Sequence, residues 1–175
     1  MKRLPLLLTL AMLLVLSSYA QNPAAKPTAM KQNDLPYKAH ISSDVQMGDQ
    51  QYLRMVENAW KAWDNNKLDA MAMILSDTLT AIMADGTMIK GKDKFISAGK
   101  EYRGSLASAT SEVHVATPLK FIDHGNMPVV SIWGIETDVK KDGSKDVYAV
   151  NEVWAFNKDG QVFFFRQFMS KEPKQ

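Results

Sequence analysis

The hydrophobic period of the chain changes once, from a helical period to an alternating one, near Ser111. Before this point Leu53, Val56, Trp60 and Trp63 recur at the three- and four-residue spacing of one helix face. After it, apolar and polar residues alternate in runs that are separated by short turns rich in Asp, Asn and Gly. Helices followed by an antiparallel meander predict an α+β domain with the helices packed on one face of a curved sheet.

Three helices are predicted in the first part. Asp49 is a suitable N-cap for the first helix, and the Asn65-Asn66 pair is expected to end it, because asparagine tolerates the left-handed conformation. A second, short amphipathic helix is predicted over 68–75. Gly91 breaks the chain before the third helix.

The strands are marked by turn residues. The Asp85-Gly86 pair predicts a hairpin after a strand over 79–83, since Asp-Gly is a strong signal for a two-residue turn. The longer strands are predicted over 113–122, 127–139, 147–156 and 162–168.

The first twenty residues predict a cleaved export signal. Lys2 and Arg3 precede an apolar run over 6–16, and Ser18 and Ala20 are the small residues expected before a cleavage site. A membrane anchor is the alternative, but the run is shorter than the roughly 20 residues that span a bilayer. We therefore predict a signal over 1–20, a flexible polar linker over 21–45, a domain over 46–172 and a periplasmic or secreted location.

Charge and composition exclude several classes of function. Removal of the signal leaves 21 − 2 = 19 basic residues against 19 acidic ones, so a nucleic-acid partner has no electrostatic support. The chain has no cysteine, and its three histidines are dispersed, so no metal site is predicted. No cofactor is predicted either, and no membrane contact after signal cleavage.

A series of short motifs, taken in order, resembles a known family. The series comprises Asn66–Ala70 at the second helix, Ser76-Asp77, Asp85-Gly86, Gly91–Asp93 and a hairpin over 153–162. Over residues 49–169 it resembles the nuclear transport factor 2-like superfamily, in its SnoaL-like branch. The resemblance implies a cone-shaped barrel of three N-terminal helices on a curved, mostly antiparallel sheet, with a pocket between them. Members include ketosteroid isomerases, polyketide cyclases, dehydratases and domains without chemistry.

The catalytic pattern of the steroid isomerases is not found. Its oxyanion donors and its base would fall on Ala59, Ala149 and Met83, which are apolar and cannot move a proton. We therefore predict no catalytic residue, and expect an exported domain that binds a small, largely apolar molecule. A lyase or isomerase that uses His114 or Asp77, and a non-catalytic association domain with a filled cone, are the alternatives.

The inner face of the first helix, the resemblance, which turns the strand face of Trp133 inward, and alternation along the last two strands together predict the ligand-binding residues. Trp63 and Trp133 are expected to be apolar walls, and Asn151 and Gln167 the orienting polar groups, because a polar side chain on an apolar face needs a partner. The same alternation places Glu136 and Glu152 on the opposite faces of their strands. The full predicted set is Trp63, Met83, Trp133, Asn151, Phe165 and Gln167.

The last strand is apolar on both faces, which predicts an interface. Phe164 is expected on the outer face of the sheet, together with Trp154 and Phe156 of the preceding strand. A homodimer through this outer face is the expected assembly, as the resemblance also implies.

Overall fold

The structure is a computed structural model, and it describes residues 36–42 and 44–172. The predicted signal and most of the predicted linker lie outside the described residues, so those two predictions stay predictions. The folded unit considered below begins at Lys38. Within the described part of the chain, no helix combines the length and apolar character that a membrane crossing requires.

Three helices occur in the described residues: α1 (Gln50–Asp64), α2 (Leu68–Ala72) and α3 (Lys92–Ser105). The Asp49 carboxylate accepts a hydrogen bond from the Gln51 N–H at 2.8 Å, which confirms the predicted N-cap of α1. Asn66 has a φ of 54°, in the left-handed region, just beyond the predicted end of the helix. The ends of α1 are thus fixed by local sequence.

The strands form one mixed sheet in the part of the chain that is described. They are β1 (Val45–Met47), β2 (Leu75–Ile82), β3 (Met88–Lys90), β4 (Leu106–Phe121), β5 (Met127–Lys140), β6 (Lys145–Phe156) and β7 (Val162–Lys171). The sheet order is β1-β4-β5-β6-β7-β2-β3. All neighbours pair antiparallel except β2 and β7, which are parallel.

The order of the elements around the helices agrees with the sequence: β2 and β3 lie between α2 and α3, as the predicted strand and hairpin indicate, so the three helices are not one N-terminal block. The second helix is shorter than predicted and ends at Ala72. Asp77 lies inside β2, where its carboxylate pairs with Lys92 at 2.5 Å. The sequence also did not predict β1, which pairs with the far end of β4.

The core lies between the helices and one face of the sheet. Val56 and Trp60 of α1 pack in the same buried cluster as Ile132 of β5 and Val150 of β6. The alternation of these strands brings Trp154 and Phe156 to the same side, where they are only 2% and 1% exposed. The prediction that Trp154 and Phe156 form an outer interface is therefore wrong.

Phe164 is the remaining residue of that predicted interface. It pairs with Ala155 and so lies on the sheet face opposite Trp154, partly buried. The homodimer itself stays a prediction.

Gly134 permits β4 to cross β5 closely at the centre of the sheet. A Cβ at this position would lie 2.0 Å from the Glu112 carbonyl oxygen, so any side chain would force the two main chains apart. The register of β4 shifts next to this point, between Val113 and Val115. The β4 main chain therefore covers β5 closely at Gly134, two residues before Glu136.

Candidate functional site

A cavity of about 500 Å³ lies between the helices and the inner face of the sheet. Its walls are mostly apolar and aromatic. The residues that matter below are Trp60 and Trp63 from α1, Phe95 and Tyr102 from α3, Met83 from the turn after β2, and Glu136, Tyr148, Glu152, Trp154, Phe165 and Gln167 from the sheet.

Glu152 is a buried hydrogen-bond acceptor for three side chains. Its Oε2 accepts from the indole Nε1 of Trp60 at 2.6 Å and of Trp154 at 3.0 Å. Its Oε1 accepts from Nε2 of Gln167 at 3.0 Å. Burial raises the pKa of Glu152, while the three N–H donors act in the opposite direction. This carboxyl group therefore holds two tryptophans and a glutamine of the wall in fixed orientations.

Glu136 and Asp138 form a pair of neighbouring acidic side chains on β5. Both side chains point to the inner face, with Glu136 9% and Asp138 1% exposed. Burial first, and then the negative charge of Asp138, raises the pKa of Glu136 to about 8. Asp138 Oδ1 has no hydrogen-bond partner among the described residues. When Glu136 is protonated, its O–H group can donate a hydrogen bond to Asp138.

Two stacked rings connect this pair to the helices. Trp63 Nε1 donates to Glu136 Oε1 at 2.8 Å, and Tyr102 Oη donates to Asp138 Oδ2 at 2.8 Å. The two rings are nearly parallel, at 15°, with centroids 6.0 Å apart. Burial, followed by the bond to Asp138, raises the pKa of Tyr102, so the phenol keeps its proton.

The position of Trp63 is set by the end of α1. Arg103 is 5% exposed and donates from Nε to the Trp63 carbonyl at 3.0 Å and from Nη2 to the Asp64 carbonyl at 2.9 Å. These are carbonyls of the last helical turn, which have no partner within the helix. Ser111 of β4 adds a 2.8 Å bond to the Asp64 carboxylate. The helix end is thereby tied to both α3 and the sheet.

The cavity wall is acidic. Asp85, Glu136 and Glu152 line it, and no lysine, arginine or histidine does so among the described residues. No group of three or more acidic or histidine side chains within this part of the chain is arranged to hold a metal ion.

Four of the six predicted ligand-binding residues line the cavity, namely Trp63, Met83, Phe165 and Gln167. The other two, Trp133 and Asn151, do not, and their predicted orientation is wrong. They are direct cross-strand partners, and they alternate with the inward residues Ile132 and Glu152. Both therefore lie on the outer face, where Trp133 is 40% exposed.

Because the inner and outer faces of β5 and β6 were exchanged in the prediction, two acidic residues of the site were not predicted. Glu136 and Glu152, predicted to face away from the pocket, are part of its wall. A usable signal was present in β6, where Glu152 stands between Val150 and Trp154 at the two-residue spacing of one face. Ala149 was matched above to an oxyanion donor of the isomerases. That match is one residue out of register along β6, because the neighbouring Tyr148 faces the cavity instead.

The residues of the predicted lyase or isomerase alternative lie elsewhere. His114 is at the surface, 3.4 Å from the Glu112 carboxylate, with a side chain that is 46% exposed. Asp77 is bound to Lys92. Neither side chain lines the cavity.

Comparisons with known proteins give similarity in structure without similarity in sequence. No protein-family model matches the sequence, and no curated protein matches it. A solved LEH-like epoxide hydrolase of M. tuberculosis is similar in structure, with a TM-score of 0.58 and 16% identity over 69% of this chain and 84% of that one.

Two further solved structures show the same similarity. An NTF2-like protein of unknown function from Exiguobacterium sp. 255-15 has a TM-score of 0.54 and 13% identity, covering 66% of this chain and 98% of that one. A protein with a ketosteroid isomerase-like fold from Catenulispora acidiphila, solved with trimethylamine, has a TM-score of 0.54 and 11% identity, covering 65% and 83%. The chain therefore has the nuclear transport factor 2-like fold, with its helices and its sheet enclosing one acidic, aromatic cavity.

Proposed function

We propose that this chain binds a small, largely apolar molecule in the cavity, with Glu136 as the principal polar contact. The observation that carries the proposal is a cavity of about 500 Å³ whose aromatic walls surround a reachable carboxyl group. Small-molecule sites typically combine apolar walls with a few convergent polar groups at this size. Trp63, Met83, Phe165 and Gln167, which line the cavity, would contribute the wall around the ligand.

Glu136 is suited to this contact because it is the accessible member of its pair. Asp138 lies behind it, does not line the cavity, and is held by Tyr102. The carboxyl of Glu136 bears a proton in part of the molecules near neutral pH, so it can either donate or accept a hydrogen bond.

Binding should be visible in tryptophan emission. Three of the four tryptophans line the cavity, and Trp133 is on the outer face. The neutral apolar dye N-phenyl-1-naphthylamine should quench the emission, and a Trp133→Phe variant should show a larger quenched fraction. Trp63→Ala should weaken dye binding about tenfold, since a ring of the wall is lost.

The matched control is Asn151→Leu, which changes a side chain on the outer face and should leave dye affinity unchanged. Circular dichroism of each variant separates loss of binding from loss of folding. Equal dye affinity in Trp63→Ala and the unchanged protein would rule out the cavity as the binding site.

Acid–base catalysis is the second candidate, favoured by the carboxyl of Glu136 with its pKa near neutrality. The similarity to an epoxide hydrolase gives a reaction to test, in which an acid protonates an epoxide oxygen while water adds to carbon. Asp138 does not line the cavity. The pair therefore offers a ligand one carboxyl rather than two, and binding remains the better supported function.

The test is hydration of styrene oxide, followed by formation of the diol. If Glu136 is the acid, Glu136→Gln should lower kcat by about 100-fold or more, the usual contribution of a general acid. A wild-type rate equal to that in buffer would exclude this activity toward the probe.

A further inference from the structure

We infer that the ligand of this cavity is the cation of an apolar amine, an ammonium or quaternary ammonium group surrounded by aromatic rings, with the Glu136 carboxylate as its counter-ion. This inference rests on the proposed binding function and names the class of molecule bound. Three features of the wall support it. They are its acidic residues, the hydrogen bonds that already occupy its indole and amide donors, and its aromatic rings.

The charge of the wall excludes anions and favours cations. Asp85, Glu136 and Glu152 line the cavity without a basic residue among the described lining. The one buried guanidinium nearby, that of Arg103, is bound to the carbonyls of Trp63 and Asp64 and does not line the cavity. Asp138 Oδ1, behind Glu136, has no partner in the described residues. In a medium of low dielectric constant a positive ligand charge compensates these groups, and a negative one is repelled.

The indole and amide donors of the wall and the Tyr102 hydroxyl are already committed to carboxyl groups. The indole N–H groups of Trp60 and Trp154 and the amide of Gln167 bind Glu152. Trp63 donates to Glu136, and the Tyr102 hydroxyl donates to Asp138. A neutral ligand with a carbonyl or ether oxygen would have to break one of these bonds or accept from the proton of Glu136 or the Tyr148 hydroxyl, which also line the cavity. A quaternary ammonium group needs no donor at all.

These bonds also determine what the rings offer to the cavity. Each indole directs its polar edge at a carboxyl, so the wall presents ring faces and apolar edges. A cation over the face of tryptophan or tyrosine within about 6 Å of the centroid is attracted by the ring quadrupole. Aromatic rings combined with an acidic residue are the usual surroundings of bound quaternary ammonium groups.

Binding of the cation must displace a proton from Glu136. The O–H bond of the neutral acid breaks, its electron pair stays on the carboxylate, the proton leaves to solvent, and the ligand cation takes its place. The other groups that face Glu136 are Asp138, Glu152, Tyr148, Tyr102 and the Trp63 indole. Next to them, Asp64 is bound by Ser111, and Asp146 is paired with Lys140 and Lys171. None of these neighbours brings an unpaired positive charge to Glu136.

The experiment compares two probes of the same shape and different charge. Benzyltrimethylammonium carries the cation, and neopentylbenzene replaces its nitrogen with carbon. Near pH 7 the cation should bind at least about tenfold more tightly than the isostere. Calorimetry in phosphate and in Tris, which differ in ionisation enthalpy, should show release of nearly one proton. Affinity for the cation should rise about tenfold per pH unit below the pKa of Glu136, then level off.

Variants test the role of Glu136. Glu136→Gln should reduce the preference for the cation over the isostere at least about tenfold. Asn151→Leu, on the outer face, should leave it unchanged. The proton release of the unchanged protein is an independent readout should Glu136→Gln fail to fold.

The possible outcomes distinguish a failure of the cation inference from a failure of the proposed binding function on which it rests. Tighter binding of neopentylbenzene, or cation binding without proton release, would overturn the cation inference and leave the binding function standing. If the folded protein binds neither these two probes nor the naphthylamine dye, both the inference and the binding function fail.

Discussion

Replacing Glu152 with leucine should lower the free energy of unfolding by about 3–5 kcal/mol. The substitution leaves the indole N–H groups of Trp60 and Trp154 and the amide of Gln167 without their acceptor. An unpaired buried donor costs about 1–3 kcal/mol, and the removal of a buried acid offsets part of the sum. Urea denaturation at pH 7, read as the shift of the midpoint at constant slope, measures the effect.

Glu152→Gln is the matched variant for this experiment. It keeps the size of the side chain and one acceptor oxygen, so we expect a smaller loss, on the order of 1–2 kcal/mol. A leucine variant as stable as the unchanged protein would show that burying the carboxyl costs as much as its three hydrogen bonds contribute.

The stability of the protein should decrease as the pH rises from about 4.5 to about 8. Glu136 has its pKa raised from 4.5 to about 8 on folding, so over this interval the folded state holds a proton that the unfolded state has lost. The contribution is present in full below the lower value and is lost at about 1.4 kcal/mol per pH unit, roughly 3–5 kcal/mol in all. Thermal or urea unfolding at several pH values measures the slope.

Glu136→Gln should remove the contribution of Glu136 to this slope. The amide cannot titrate, its oxygen can accept from Trp63, and its NH₂ can donate to the unpaired Oδ1 of Asp138. Glu152, whose pKa is also raised by burial, leaves a slope of the same sign. Asp146, with its pKa lowered to about 2 by Lys140 and Lys171, acts only at lower pH. Stability that does not change over this interval in the unchanged protein would contradict the raised pKa of Glu136.

Local sequence predicted the elements and their ends wherever a short-range interaction fixes them. Asp49 caps α1 through a bond to a residue two positions away, and the Asn65-Asn66 pair ends that helix. The hairpin turns could be predicted from Asp-Gly pairs, because glycine adopts positive φ without steric cost. Gly86, Gly143 and Gly160 have positive φ in the structure. The α+β class follows from the change of period, and the structural comparisons confirm the predicted fold at that level.

The orientation of the central strands was not determined by their own sequence. A period of two separates residues into two faces but does not say which face is inward, and a shift of one residue exchanges them. β5 and β6 are apolar on both faces, so Trp133 and Asn151 fitted an inner face as well as Ile132 and Val150 did. The family resemblance turned the face of Trp133 inward, and alternation along β5 and β6 then placed Glu136 and Glu152 outside.

Only the tertiary structure decided where those acids lie, because their partners are far away in sequence. Trp60 is 92 positions from Glu152, and Trp63 is 73 positions from Glu136. The parallel pairing of β2 with β7 is a long-range contact of the same kind. The chain by itself determined the helices, the turns and the alternation of the strands. The packing of α1 and α3 on one face of the sheet determined that this face holds the carboxyl groups and that indole and phenol groups satisfy them.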